Sequence, residues 1–260
     1  MKENHRTADR ILDIFELLAK NKNGLTFSDI SRQLSMPKSS LHPIIHTLYQ
    51  RRFLQYKPEV QLYYLGDRIF SIGTDYIADS NLLNKIDQLL MSLAAEVNET
   101  SHFGVLSGSD VLYLLKQNPS SPIHVSSRSG YRLKAYCTAI GKALLSQFEM
   151  DTLLKFYSDP LEKITEKTID SIDELYKQIL DIRKTGFGYE KAESSPRVQC
   201  ISTPIFDNNV ILAAISVAFP IFDEKENLTK YEFIKSALKD TRHKVESIIA
   251  QNRTDWIYGD

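Results

Sequence analysis

Cysteine is scarce in this chain: 260 residues hold two, Cys137 and Cys200, far apart in sequence, which excludes a disulfide framework. Long apolar runs are missing as well. None approaches the ~20 residues that a membrane-spanning helix needs, and Met1-Lys2-Glu3-Asn4-His5 lacks the apolar core of a secretory signal. There is no low-complexity tract, internal repeat, metal-ligand cluster, glycine-rich phosphate loop or Gly-x-Ser-x-Gly elbow. These absences predict a cytoplasmic chain with no membrane association, metal or cofactor. What remains is an ordinary globular composition, 42% hydrophobic and 25% charged, with length enough for two domains of usual size.

The strongest pattern lies near the N-terminus. Ile11, Leu12, Phe15, Leu18 and Ala19 recur at helical spacing among Arg10, Asp13, Glu16 and Lys20, which predicts an opening helix ended by Asn23-Gly24. Thr26 with Asp29 three positions later fits a capping box for a short second helix burying Ile30 and Leu34. Ser35-Met36-Pro37 makes a turn. A third helix then buries Leu41, Ile44, Ile45 and Leu48 at i, i+3, i+4, i+7. Its other face offers Lys38, Ser39, Ser40, His42 and His46, all able to donate to phosphates or base edges. Phe53-Leu54-Gln55-Tyr56 and Val60 to Leu65 alternate around Lys57-Pro58-Glu59, the pattern of a hairpin wing. Three helices and a wing predict a winged helix-turn-helix over residues 1–66, with Thr26, Lys38, Ser39, Ser40, His42, His46 and Arg51 toward double-stranded DNA.

Charge follows the same division. Residues 1–70 hold 11 Lys+Arg against 7 Asp+Glu, a local +4, while the rest hold 21 against 26, a local −5, which together give the chain's −1. A basic module on an acidic body suits phosphate contact. So small an excess predicts weak binding by one copy, and hence a dimer or tetramer.

Residues 67–97 read as a helical linker, with apolar Ile69, Phe70, Ile72, Tyr76 and Ile77 in one helix and Leu82, Leu83, Ile86, Leu89, Leu90, Leu93 and Ala94 in a second. From Thr100 the period changes. Strands are expected at Ser101 to Leu106, Val111 to Lys116 and Pro122 to Ser126, and helices at Thr138 to Phe148 and Ser171 to Thr185, the latter closed by Gly186. Cys200 to Phe206 and Val210 to Phe219 bracket Asp207-Asn208-Asn209, a hairpin signal. A last helix runs from about Thr229 to Asn252, and 253–260 reads as a loosely held tail. This order predicts a mixed α+β domain over 98–252, one sheet with helices on its faces.

Thr7-Ala8-Asp9-Arg10-Ile11-Leu12-Asp13-Ile14-Phe15, Gly24-Leu25-Thr26, Met36-Pro37-Lys38-Ser39-Ser40 and Tyr64-Leu65-Gly66 together resemble the IclR family of bacterial transcriptional regulators, and the resemblance covers nearly the whole chain. It implies a GAF-like C-terminal domain binding a small-molecule effector. Aligned on Gly141 to Ala143 and on Cys200, the family's ligand positions fall on Gly130, Tyr131, Glu190, Cys200 and Ser202. The loop Arg128-Ser129-Gly130-Tyr131-Arg132 offers amides suited to a carboxylate, so an organic acid is expected. The chain departs from the family in two places. Tyr131 is bulkier than the small residue often found there. Pro43 stands where many members carry a basic residue in the recognition helix; it is expected to bend that helix or to lie in its first turn, with Ser39 or Ser40 as N-cap.

Two other functions compete with a ligand-responsive, non-enzymatic regulator. A thiol enzyme on the GAF-like scaffold would use Cys200 or Cys137, but none of His102, His124 and His243 stands at motif spacing to either. A protein-binding adaptor with a degenerate winged helix would explain Pro43.

Overall fold

The computed structural model describes residues 5–78, 81–121, 125, 127–221, 228–253 and 256, which fall into two compact units, Met1–Asp79 and Ser80–Asp260. The first contains α1 (Arg6–Lys20), α2 (Phe27–Gln33), α3 (Lys38–Gln50), β1 (Leu54–Lys57), β2 (Leu62–Leu65) and α4 (Asp67–Ala78). Its core gathers Ile14, Leu18, Ile30, Leu41, Ile45 and Leu54. Ile14 takes the place expected of Leu12, which is 56% exposed, and Ala19 is exposed too. Ile11, Ile14, Phe15 and Leu18 make one continuous face, and Leu12 and Ala19 each stand ~100° past it.

Thr26 caps α2 as expected: the Asp29 amide donates to its Oγ1 at 3.1 Å, and its hydroxyl donates to the Asp29 carboxylate at 2.6 Å. The chain leaves α1 earlier than expected, at Asn21, and Gly24 takes φ +77°. A Cβ at Gly24 would lie 2.6 Å from Tyr64 Cζ, because Leu25 and Tyr63 exchange backbone hydrogen bonds that draw the wing against this turn. The wing pairs antiparallel from Leu54↔Leu65 to Lys57↔Leu62.

The second unit contains α5 (Asn81–Val97), β3 (Thr100–Ser107), β4 (Asp110–Gln117), β5 (Arg132–Lys134), a 3-10 turn (Ala135–Cys137), α6 (Ala139–Leu145), α7 (Met150–Phe156), α8 (Ile172–Thr185), β6 (Gly188–Lys191), β7 (Val198–Asp207), β8 (Val210–Pro220) and α9 (Leu228–Gln251). The strands form one antiparallel sheet in the order β5-β4-β3-β8-β7-β6. One face packs on α5 and α9 through Ile86, Leu90, Phe103, Val217 and Leu238. The other packs on α6, α7 and α8 through Val111, Ile140, Leu153 and Ile179. Each such side chain contributes about 1.5–3 kcal/mol on burial. The β7–β8 turn is the two-residue kind the sequence signals, with Asn208 and Asn209 both left-handed at φ 47° and 65°, as a type I′ hairpin requires.

Several expectations need correction. Residues 67–97 do not form one linker: α4 belongs with the first unit, while Leu82, Leu83, Ile86, Leu90 and Leu93 of α5 enter the core of the second. The helix expected over Thr138 to Phe148 stops at Leu145, and α7 follows where no element was expected. The strand expected at Pro122 to Ser126 lies almost wholly outside the described residues. The described part of the tail is tied down, since Arg253 donates to the Asp207 carboxylate at 2.6 Å and Trp256 meets Phe103 edge-on at 6.3 Å.

Candidate functional site

In the first unit α3 turns Leu41, Ile44, Ile45 and Leu48 inward, so the intervening positions point outward. Lys38, Ser39, His42, His46 and Arg51 are exposed and Ser40 is half-buried. The His42 ring stands between Phe27, at 6.3 Å, and His46, at 6.4 Å, so packing presets the direction of these two imidazoles. Arg51 stacks over Phe53. Thr26, placed among the DNA-facing residues by sequence, has its hydroxyl engaged in the α2 cap.

Pro43 lies in the second turn of α3, not the first, because the helix starts at Lys38 with Pro37 at the N-cap. The helix runs unbroken to Gln50. Pro43 cannot donate to the Ser39 carbonyl, but both residues are exposed, so water can take that acceptor. The Pro43 carbonyl accepts from the Thr47 hydroxyl at 2.8 Å.

In the second unit a cavity of about 510 Å³ lies between the sheet, the start of α6, and the loops before β5 and β7; it is lined by His102, Tyr113, Ser127, Tyr131, Leu133, Thr138, Ile140, Ser194, Cys200 and Ser216, among others. The strand register puts the wall residues on one face: Cys200 pairs with Ala218 and Ser216 with His102. Gly141 permits the roof, since a Cβ there would lie 2.2 Å from the Ala135 carbonyl oxygen. A second, outer groove of about 620 Å³ runs beside the edge strand β6 between α8 and α9, with Tyr189, Glu190 and Cys200 in its lining. Its rim residues Lys177, Asp181, Lys191 and Leu228 are exposed, so the inner cavity is the better enclosed.

Only two of the five residues expected at an effector site, Tyr131 and Cys200, line the inner cavity. Gly130 does not, and its amide is not free: it donates to the Tyr113 carbonyl at 2.7 Å. Ser202 is fully buried and donates to the Ala139 carbonyl at 2.7 Å, because α6 lies directly over it. Glu190 stands behind the wall. Its carboxylate accepts from the Glu193 amide at 2.9 Å, the Ser194 amide at 3.4 Å, the Ser194 hydroxyl at 3.2 Å and the Cys200 thiol at 3.2 Å. Glu190 thus shapes the loop that walls the cavity.

Beneath that loop sits a buried ion pair. Lys142 is fully buried, its Nζ 2.5 Å from Glu193 Oε1 and 3.4 Å from the Tyr189 carbonyl. Burial pushes both Glu190 and Glu193 above the usual carboxylate range, with Lys142 working against it. Burial and neighbouring carboxylates also hold the thiols protonated: Cys137 is pushed up to about 12 and Cys200 well above its ordinary value. Neither is an activated nucleophile. Among the described residues there is no group of three or more potential metal ligands, and no helix is long and apolar enough to cross a membrane.

The family profile described as the bacterial transcriptional regulator IclR C-terminal domain matches residues 74–247, and the IclR helix-turn-helix domain matches residues 7–58. The chain belongs to the IclR family. It is 31% identical to the HTH-type transcriptional regulator BhcR of Paracoccus denitrificans over 217 residues, 83% of this chain and 77% of that protein. Its fold is that of the IclR transcriptional regulator of Alicyclobacillus acidocaldarius, at TM-score 0.82 and 20% identity over 95% of this chain and 99% of that one. An IclR homologue from Microbacterium hydrocarbonoxydans, solved with 4-hydroxybenzoate, superposes at TM-score 0.78 with 18% identity over 95% and 100% of the two chains. This chain is accordingly an HTH-type transcriptional regulator with a mixed α+β architecture, and its N-terminal unit is the DNA-binding one.

Sequence reasoning did not single out His102, Tyr113, Ser127 and Ser216 as lining the cavity, or Lys142 and Glu193 as the ion pair beneath it. A signal for His102 existed. It alternates with Phe103 and Val105, which face the α5–α9 core, so period two places it with Gly104 on the other face.

Proposed function

We propose that this regulator responds to a small molecule held in the inner cavity, and that occupancy there changes its affinity for an operator. The observation that carries the reading is one chain combining an exposed polar recognition helix in its first unit with an enclosed cavity of about 510 Å³ in its second. The 4-hydroxybenzoate complex of the Microbacterium homologue supports a small-molecule effector. Lys38, Ser39, Ser40 and Arg51 meet phosphates, and His42 and His46 meet base edges. Tyr131 and Cys200 touch the effector, while Glu190 positions the loop beside it.

The chain acts in the cytoplasm as a dimer or tetramer, since one copy with a local charge of +4 grips too few phosphates. It is not an enzyme: the two cysteines stay protonated, which argues against thiol chemistry. Coupling between DNA and effector is reciprocal, so each changes the other's affinity by the same factor.

Fluorescence anisotropy with DNA from upstream of the chain's own gene tests this, alongside a thermal-shift screen of small acids and aromatics. The reading expects saturable DNA binding that a hit from the screen changes at least fivefold. Absence of DNA binding by the full chain would favour the adaptor instead.

A further inference from the structure

The recognition helix holds two imidazoles one turn apart. His42 and His46 stand four residues apart on α3, a spacing that sets them about 40° apart around the helix and about 6 Å apart along it. Their ring centroids are 6.4 Å apart, with the planes inclined by 15°, and both residues are exposed. Phe27 meets the His42 ring edge-on at 6.3 Å, which limits how far that ring turns. Two histidines at i, i+4 on one helix face form a chelating pair. A metal with bonds of about 2.0–2.1 Å to imidazole holds its two nitrogens about 3 Å apart. Rotation about the exposed side-chain bonds, closing the rings by roughly one ångström, brings one nitrogen of each within that span.

The backbone supplies an acceptor beside the pair. Pro43 lies inside α3 and has no amide to give the Ser39 carbonyl. Ser39 stands about 60° from His42 and about 20° from His46 around the helix, so its carbonyl opens on the same side. It can accept from a water bound to a metal held by the two rings.

The donors select the ion. Imidazole suits zinc, copper and nickel, whereas magnesium and calcium prefer oxygen ligands. Among the described residues there is no group of three or more potential ligands, so water completes the shell and the ion exchanges readily. Lys38, one turn before His42, is the only lysine or arginine of α3 and opposes a cation. Its side chain is exposed and free to turn away, and salt screens exposed charges over about 8 Å under physiological conditions.

Resting on the reading that His42 and His46 meet base edges, we propose that this pair is a binding site for a first-row divalent ion of the zinc, nickel and copper class, and that the ion and the operator compete for it. A bound ion occupies the nitrogens that base edges would otherwise meet. DNA affinity therefore falls in its presence, and DNA lowers the affinity for the ion by the same factor.

The test is calorimetric titration of the untagged full chain with nickel, zinc and magnesium chlorides. Nickel should bind more tightly than magnesium, with zinc also bound. His42→Ala and His46→Ala should each weaken nickel binding at least about tenfold, because the second bond of a chelate forms within one molecule. His243→Ala should leave it unchanged, although His243 stands 3.8 Å from the Glu246 carboxylate on α9 and is the rival chelator. His46→Ala combined with Thr47→His keeps the number of histidines but turns the second about 140° from the first, so nickel binding should stay weak. All these positions except the buried partners of α3 are exposed, so the fold is kept. Absence of saturable nickel binding, or binding that survives His42→Ala and His46→Ala, overturns the site, as does recovery by Thr47→His. Operator anisotropy separates this from the parent reading. Saturating nickel should lower the parent's DNA affinity at least about fivefold, the low end of usual coupling, and leave the affinity of each alanine variant where it stands without metal. Tighter DNA binding with nickel overturns the competition. Nickel held by the pair with no change in DNA affinity would uphold the metal site and sink the base-reading role of the two histidines.

Discussion

Replacing Lys142 with Met should expose how the cavity's supporting layer is held. Lys142 is the one fully buried cation among the described residues, and its ammonium meets Glu193 Oε1 at 2.5 Å. Met fills similar space, so the change removes charge with little change in volume. It leaves the Glu193 carboxylate buried without its counter-ion, and breaking a buried pair on one side costs about 3–5 kcal/mol. Glu193→Leu should cost a similar amount, because the ammonium is then stranded. Making both changes together should leave stability within about 2 kcal/mol of the parent, since a buried pair and a well-packed apolar pair are often near parity. The chain's single tryptophan, Trp256, packs in the second unit, so urea unfolding followed by its fluorescence reads that unit alone. Additive losses in the double variant, or single losses below about 1 kcal/mol, would refute the pairing argument.

The same variant carries a pH signature. Burial raises the folded-state value of Glu193, with Lys142 opposing. A carboxyl whose folded value is raised contributes stability below its unfolded value and loses it as pH rises through the folded one. Without Lys142 the folded value climbs further. The extra loss therefore accumulates above the parent's folded value, approaching about 1.4 kcal/mol per pH unit. The Lys142→Met penalty should be smallest near roughly pH 4 and largest above neutrality. A penalty that shrinks as pH rises would contradict the assignment.

On the DNA side, Lys38→Ala should weaken all sequences alike and flatten the salt dependence of anisotropy titrations, whereas His46→Ala should relax discrimination at particular base pairs by about 1–3 kcal/mol. Equal, sequence-independent losses from both would refute the division of roles. Gly24→Ala should cost the first unit about 1–3 kcal/mol, because φ +77° and the Tyr64 ring both oppose a Cβ; DNA binding should fail on warming while the Trp256 transition stays put, and an unchanged binding profile would count against it. Ser202→Trp should unfold the second unit rather than selectively block the effector, since Ser202 is fully buried beneath the Ala139 carbonyl; a folded variant that had lost only its ligand response would restore Ser202 to the site.

Local pattern was readable wherever one element decides its own packing. Leu82, Leu83, Ile86, Leu90 and Leu93 recur at helical spacing and are buried along α5, and two left-handed asparagines close the β7–β8 hairpin as their side chains permit. The cavity was not readable in that way, and two serines show why. Ser202 and Ser216 are direct partners across β7 and β8 and project from the same side of the sheet. Both are buried, at 0% and 2%. Every property that strand periodicity can assign is therefore the same for the two. They differ only in what lies above them: the Ala139 carbonyl covers Ser202, whereas Ser216 faces the cavity. That distinction depends on where α6 crosses the sheet, which the Ala135–Gly141 contact fixes some 60 residues before Ser202 in the chain. Alignment to the family carried the expected ligand position to Ser202, whose partner across the strand pair, Ser216, is the one that lines the cavity. Glu190 shows a related limit of strand periodicity. Its carboxylate accepts from donors of Glu193, Ser194 and Cys200, contacts that hold the loop and that no strand period announces. Cavities built where a helix crosses a sheet are set by that crossing, which the period of a single strand does not encode.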